Sequence, residues 1–208
     1  VLGLVLLALV FYKIFKPMVK LEKISKIFLS LFVVLFFVHT FGLALRWYVS
    51  GHAPWSNGYE SMIYIAWAIV LSGIIFSKQS VLALATTSLL SGITLFVAHL
   101  SWLEPQITTL TPVLKSYWLT IHVSVITASY GFLALCALLG FLTLVFYIFL
   151  DKNKDDLKQE SLKVSIKEAR RINEMSMIIG IVLLVIGNFL GGIWANESWG
   201  RYWGWDPK

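Results

Sequence analysis

The chain has 208 residues; 58% are apolar, only 13% are charged, and the formal net charge is +6. About 25% charged residues is usual in a soluble domain, so this composition excludes a soluble globular protein, a disordered chain and a collagen-like fibre. It leaves an integral membrane protein with several spans. The positive balance is not a nucleic-acid signature, because the charges fall in blocks between apolar runs, as topology determinants do.

Apolar runs follow one another at about 1–15, 27–48, 60–76, 81–99, 119–150 and 175–195. A helix takes about 20 apolar residues to cross a hydrocarbon core of about 30 Å. By that measure the first run looks truncated and 60–76 is near the short limit. No alternating strand pattern is visible, and a backbone in lipid must satisfy its own hydrogen bonds. The expected fold class is therefore all-α, a polytopic membrane bundle of about six helices with an extracytoplasmic Trp-rich loop. The chain opens with a span already under way, at Val1-Leu2-Gly3, and closes just after a dense aromatic motif. It reads as a piece of a longer protein. Residues 1–26 form a first span and its cytoplasmic link. Residues 27–150 form a bundle with external loops at 49–59 and 100–118. Residues 151–174 form a charged cytoplasmic segment, and 175–208 a span leading into the aromatic motif.

Orientation follows from the basic residues. Connections on one side hold 13 Lys and Arg, from Lys13 to Lys26, at Lys78, and from Lys152 to Arg171; those on the other side hold four, Arg46, Lys115, Arg201 and Lys208. The positive-inside rule puts the richer side in the cytoplasm. Segment 151–174 is charged in both signs, with Leu157, Leu162, Ile166 and Ile172 at helical spacing. It fits a docking site, or a solvated extension of the fifth helix linking to the sixth. The single cysteine, Cys136, sits in an apolar run and reads as a small membrane-facing hydrophobe.

The outer side is chemically unusual. Eight of the nine Trp fall in its clusters, and only Trp67 lies elsewhere. An aromatic belt would place a few Trp at both interfaces, so a one-sided excess argues for a binding surface. The densest stretch, Trp194 to Trp205, holds four Trp and Tyr202 in twelve residues. Gly200 and Gly204 let the backbone approach a flat object, and Arg201 offers a forked cation for a carboxylate. Trp194, Trp199, Arg201, Tyr202, Trp203 and Trp205 suit a planar, apolar ligand with anionic groups on its edge, such as a porphyrin with two propionates. An interfacial anchor is the alternative. Asp206 fits a hydrogen-bond acceptor closing the turn before Pro207, or a direct contact.

Histidine supplies a metal-binding side. Neutral imidazole is a common axial ligand of haem iron. His122 begins the fifth helix on the outside. From there to Leu150 the helix rises about 43 Å at 1.5 Å per residue, longer than the hydrocarbon core, so His122 sits near a tip at the outer surface, level with the Trp-rich loop. His39 is mid-span, His52 lies in a loop and His99 ends the fourth run; each is a ligand candidate or a satisfied structural histidine. Gly180, Gly187, Gly191 and Gly192 on the last span point to close helix packing. Alternatively, Gly191-Gly192 bends the chain so that the Trp loop folds back. Asn188 on the same span is expected to satisfy itself across a helix contact.

The stretch Trp199-Gly200-Arg201-Tyr202-Trp203-Gly204-Trp205-Asp206-Pro207-Lys208 resembles the tryptophan-rich WWD signature of haem-handling membrane proteins. These include the CcsA/ResC proteins of System II cytochrome c biogenesis and the CcmC and CcmF proteins of System I. Ser116-Tyr117-Trp118-Leu119-Thr120-Ile121-His122-Val123 resembles the external histidine segment of the CcsA type, and Gly51 to Ser61 resembles its first external loop. The resemblance covers about residues 27–208; the first span resembles the tail of a CcsB-like partner, separate or fused. It implies that haem b, iron protoporphyrin IX, is exported to the outer face of a bacterial or thylakoid membrane. There the WWD motif holds it between two external histidines. Its vinyl groups are then joined to the thiols of a Cys-X-X-Cys-His motif in apocytochrome c, kept reduced by a thiol reductant system. His122 matches the first axial histidine, and the second is expected beyond Lys208. The implied activity is a holocytochrome c synthase, a lyase-type thioether former. The alternative is a haem transporter or chaperone that hands haem on without that chemistry.

Overall fold

The computed structural model describes residues 1–16, 18, 21–100, 102–107, 116–151, 156–202 and 204. These form six helices: α1 (Leu2–Phe15), α2 (Glu22–Ser50), α3 (Gly58–Phe76), α4 (Val81–Ala98), α5 (Tyr117–Phe149) and α6 (Leu157–Trp199). The protein is all-α, and α2 to α6 are each long and apolar enough to cross a membrane; α1 is a shorter apolar helix of 14 residues.

Local chemistry sets the helix ends. The Asn57 side chain accepts from the Glu60 amide to start α3, Ser80 accepts from Leu82 to start α4, and Asp156 accepts from Gln159 to start α6. Each side-chain oxygen satisfies an amide with no partner in its own helix. Two ends turn through a left-handed glycine, Gly51 after α2 (φ 68°) and Gly200 after α6 (φ 70°).

The charged stretch after α5 does not extend that helix. α5 stops at Phe149, and from Leu157 the chain runs unbroken through the charged segment into the last span, 43 residues in one helix. Its spaced apolar residues are mostly inside: Leu162, Ile166 and Ile172 are buried in the core with Leu135, Leu139 and Phe146 of α5 and Leu6 and Ile14 of α1, while Leu157 is exposed.

α5 and α6 are the most extensively packed pair, α3 and α4 the next; α1 lies on α4, and α2 rests mainly on α3. Small residues bring α5 and α6 together. A Cβ at Gly180 would meet Leu133 at 2.9 Å, one at Gly187 would meet Ile126 at 3.0 Å, and one at Gly140 would lie 3.7 Å from Asn173. These pairs step along antiparallel helices at seven-residue intervals, the spacing of a coiled-coil seam. Cys136 also faces this seam, not lipid: its thiol lies 3.4 Å from the Asn173 carbonyl oxygen.

Candidate functional site

The seam places His122 near one end, about three turns beyond the Leu133-level contacts at 3.6 residues per turn. Its Nδ1 lies 2.7 Å from the Gly187 carbonyl oxygen. A carbonyl only accepts, so Nδ1 carries the proton, and Nε2 keeps its lone pair. This is the second-shell arrangement that fixes the tautomer of a metal-binding imidazole. Gly191 makes the fit possible, since a Cβ there would stand 2.7 Å from Cε1 of the ring.

Beside the imidazole is an open groove of about 1260 Å³, with His122, Asn188, Phe189, Trp194 and Tyr202 among its walls. That exceeds the range of about 300–1,000 Å³ usual for small-molecule sites. Helix α6 is unbroken through Gly191-Gly192; it continues to Trp199, and the chain turns at the left-handed Gly200. The turn brings Tyr202 back to within 3.7 Å of where a Gly192 Cβ would lie. Asn188 is an exposed wall of the groove, not a buried contact between helices.

Trp194 packs edge-on against Trp199, ring centres 4.8 Å apart and planes at 63°. Its Nε1 is buried and has no hydrogen-bond partner among the described residues. A buried indole N–H without an acceptor is uncommon, and here it belongs to a side chain lining the groove. Trp199 is exposed and touches the groove through Trp194 only. Arg201 is exposed too, with its guanidinium over Gly204, away from the groove walls. Trp203, Trp205 and Asp206 lie outside the described residues. His122, Trp194 and Tyr202 are thus brought together.

A second constellation braces the first turns of α5. The Trp55 indole donates to the Thr120 carbonyl at 3.0 Å, two residues before His122. Trp55 in turn begins an inward aromatic ladder with Tyr64, Trp67 and Phe36, at centroid distances of 4.7, 5.6 and 5.2 Å. Trp67 is anchored by donation to Thr40 at 2.8 Å. The loop carrying Trp55 is pinned by Glu60, which is 0% exposed. Its carboxylate accepts from Arg46 Nε at 2.8 Å and from the Ser56 amide at 2.9 Å. Arg46 also donates to the Pro105 carbonyl at 2.9 Å, tying in the segment that follows α4. Sequence reasoning passed over this pair, although Asn57-X-X-Glu60 is a capping-box pattern readable in the sequence.

The other histidines are elsewhere. His39 on α2 interacts with the backbone of Ile63 on α3, His52 lies within reach of Ser56 and the Ala53 carbonyl in the loop, and His99 is exposed at the end of α4.

Residues 55–208 match the family of cytochrome C assembly proteins. Over its full length the chain is 53% identical to protein NrfI of Wolinella succinogenes, of which it covers 22%. It is 36% identical over 186 residues to the cytochrome c biogenesis protein CcsA of Guillardia theta, aligned over 80% of this chain and 61% of that one. It is 33% identical over 196 residues to the CcsA protein of Prochlorococcus marinus strain MIT 9301, over 81% of this chain and 62% of that one. The chain therefore spans less than two thirds of each of these relatives.

Proposed function

The chain belongs to the cytochrome c assembly protein family, and on that premise we propose that it is the haem-presenting part of a System II cytochrome c synthase. Haem b is its substrate, received from a CcsB-like portion and held at the non-cytoplasmic face for attachment to apocytochrome c. The observation that carries this reading is the His122 imidazole. It is oriented by the Gly187 carbonyl and stands at the edge of a groove that Trp194 and Tyr202 also line.

The residues fit a haem on three counts. His122 Nε2 is the free nitrogen of an imidazole whose other nitrogen is committed. The groove is large and walled by aromatic and aliphatic groups. The buried Trp194 Nε1 is a donor in search of an acceptor, and a propionate on the porphyrin edge supplies one. Arg201 serves a propionate after its exposed side chain swings from Gly204.

In this mechanism the haem supplies the two vinyl groups, and the thiols of the Cys-X-X-Cys-His motif add across them. The protein contributes position. Fixing the macrocycle against α6 turns a bimolecular encounter into an oriented one, an effect that can reach about 7–11 kcal/mol in well-aligned cases. His122 holds the metal, and exchange with the histidine of the apocytochrome motif releases the product.

The test is purification of the full-length protein from haem-replete cells. It is expected to show a Soret band of bis-histidine type that His122→Ala abolishes and added imidazole restores. Absence of the band from the unsubstituted protein overturns the proposal. A strain holding only this protein, its partner and an apocytochrome c separates synthase from carrier, because only a synthase yields covalent cytochrome.

A further inference from the structure

A second groove, of about 740 Å³, lies at the other end of the bundle, where α5 stops and the charged half of α6 runs past it. Lys163, Lys167, Arg170 and Arg171 line it, against one carboxylate, Glu174. Topology alone makes this end of the bundle basic, but topology does not gather the charges. In the neighbouring groove of about 440 Å³, Lys13 and Lys78 are matched by Glu160 and Glu168. Among the described residues, the ion pair made by the four cations of the first groove is Lys163 to Glu160, 3.7 Å apart with both side chains well exposed. Lys167, Arg170 and Arg171 make none among the described residues.

The groove is also graded. Lys163, Lys167, Arg170 and Met177 fall on one stripe of α6, and Met177 lies about 10 Å beyond Arg170 along the axis at 1.5 Å per residue. Met177 is about half exposed, and so is Tyr147 of α5, which by the register of the seam stands level with Ile166 at the charged end. The charged end thus passes into an apolar end that opens outward. Asn173 lines the same groove, and its Oδ1 is buried with no donor among the described residues. A buried acceptor beside a cationic cluster calls for a ligand that carries a hydroxyl as well as a negative charge.

We propose that this groove holds the headgroup of an anionic phospholipid of the phosphatidylglycerol type. The phosphate sits among Lys167, Arg170 and Arg171, a glycerol hydroxyl donates to Asn173 Oδ1, and the acyl chains leave over Met177. Basic pockets between transmembrane helices are recognised sites for anionic headgroups.

The experiment uses the full-length protein in neutral detergent. Thermal unfolding is followed while phosphatidylglycerol, phosphatidic acid, phosphatidylcholine or haemin is added, and retained lipid is weighed by native mass spectrometry. Phosphatidylglycerol is expected to raise the unfolding temperature and stay bound, phosphatidic acid less so, and phosphatidylcholine not at all. The triple variant K167Q/R170Q/R171Q is expected to hold phosphatidylglycerol at least about tenfold more weakly, given the usual contribution of each basic residue near an anionic surface. The K13Q/K78Q variant of the neighbouring groove is expected to hold it as the wild type does. Equal retention of phosphatidylcholine by the wild type overturns the proposal, and needs no variant that must fold. So does a shift produced by haemin and not by phosphatidylglycerol, or undiminished retention by the triple variant.

Discussion

Gly191 stands edge-on to the His122 ring, so close that a methyl group on its Cα would lie 2.7 Å from Cε1. The ring is also tethered along the same edge, since Nδ1 is committed to the Gly187 carbonyl at 2.7 Å. Gly191→Ala is therefore expected to push the imidazole out of line. Overpacking of this kind costs about 1–3 kcal/mol, read as a lowered unfolding temperature. The Soret band of the purified protein is expected to fall severalfold. Gly42→Ala, on α2 with nothing within 4 Å of the new methyl, is the control and is expected to change neither readout.

Much of this architecture was legible beforehand, for physical reasons. Apolar runs must become helices in lipid, and the runs expected at 27–48, 60–76 and 81–99 lie within or nearly within α2, α3 and α4. The unity of α6 was not legible from hydropathy, because polarity changes at about Asn173 while helix propensity does not. From Leu157 to Ile179 there is no Gly or Pro, and Lys, Glu, Arg and Leu are all good helix formers. Asp156, which caps this helix, was the available signal. The pairing of His122 with Gly187 and Gly191 could not be read at all. A glycine announces close approach, but which residue approaches is set by the register of two helices 65 positions apart in sequence.

Trp194→Phe separates fold from ligand. The indole N–H is buried without a partner among the described residues, so removing it relieves an unpaired donor, whose burial costs about 1–3 kcal/mol. The ligand-free variant is expected to unfold at the same temperature as the wild type or slightly higher. Haem retention is expected to fall, as the donor to the ligand edge is gone. A loss of both stability and haem points to a packing role for the ring against Trp199, and can be checked by thermal unfolding with and without haem.

Trp55→Phe tests the brace on α5. Phenylalanine preserves contact with Tyr64 but cannot donate to the Thr120 carbonyl. The lost hydrogen bond is expected to cost about 0.5–1.5 kcal/mol. Because Thr120 is two residues from His122, the dissociation rate of haem is expected to rise several-fold while the Soret maximum stays in place. His122→Ala, by contrast, removes the proposed ligand nitrogen itself and is expected to move the spectrum.

The Arg46–Glu60 pair makes the sharpest claim about stability. Glu60 is fully buried and serves two donors, Arg46 and the Ser56 amide, while the Arg46 side chain is 15% exposed and reaches on to Pro105. Breaking such a pair from one side leaves a charge buried alone, which costs about 3–5 kcal/mol. Glu60→Met is expected to lose that much, and Arg46→Met nearly as much. The double variant R46M/E60M removes both charges and is expected to be less destabilised than the sum of the two, with a coupling of about 0.5–3 kcal/mol in the double-mutant cycle. Thermal unfolding of the four proteins measures it. Strict additivity means that each residue acts on its own neighbours, Arg46 on Pro105 and Glu60 on Ser56, and that the loop bearing Trp55 is held by those backbone contacts and not by the ion pair.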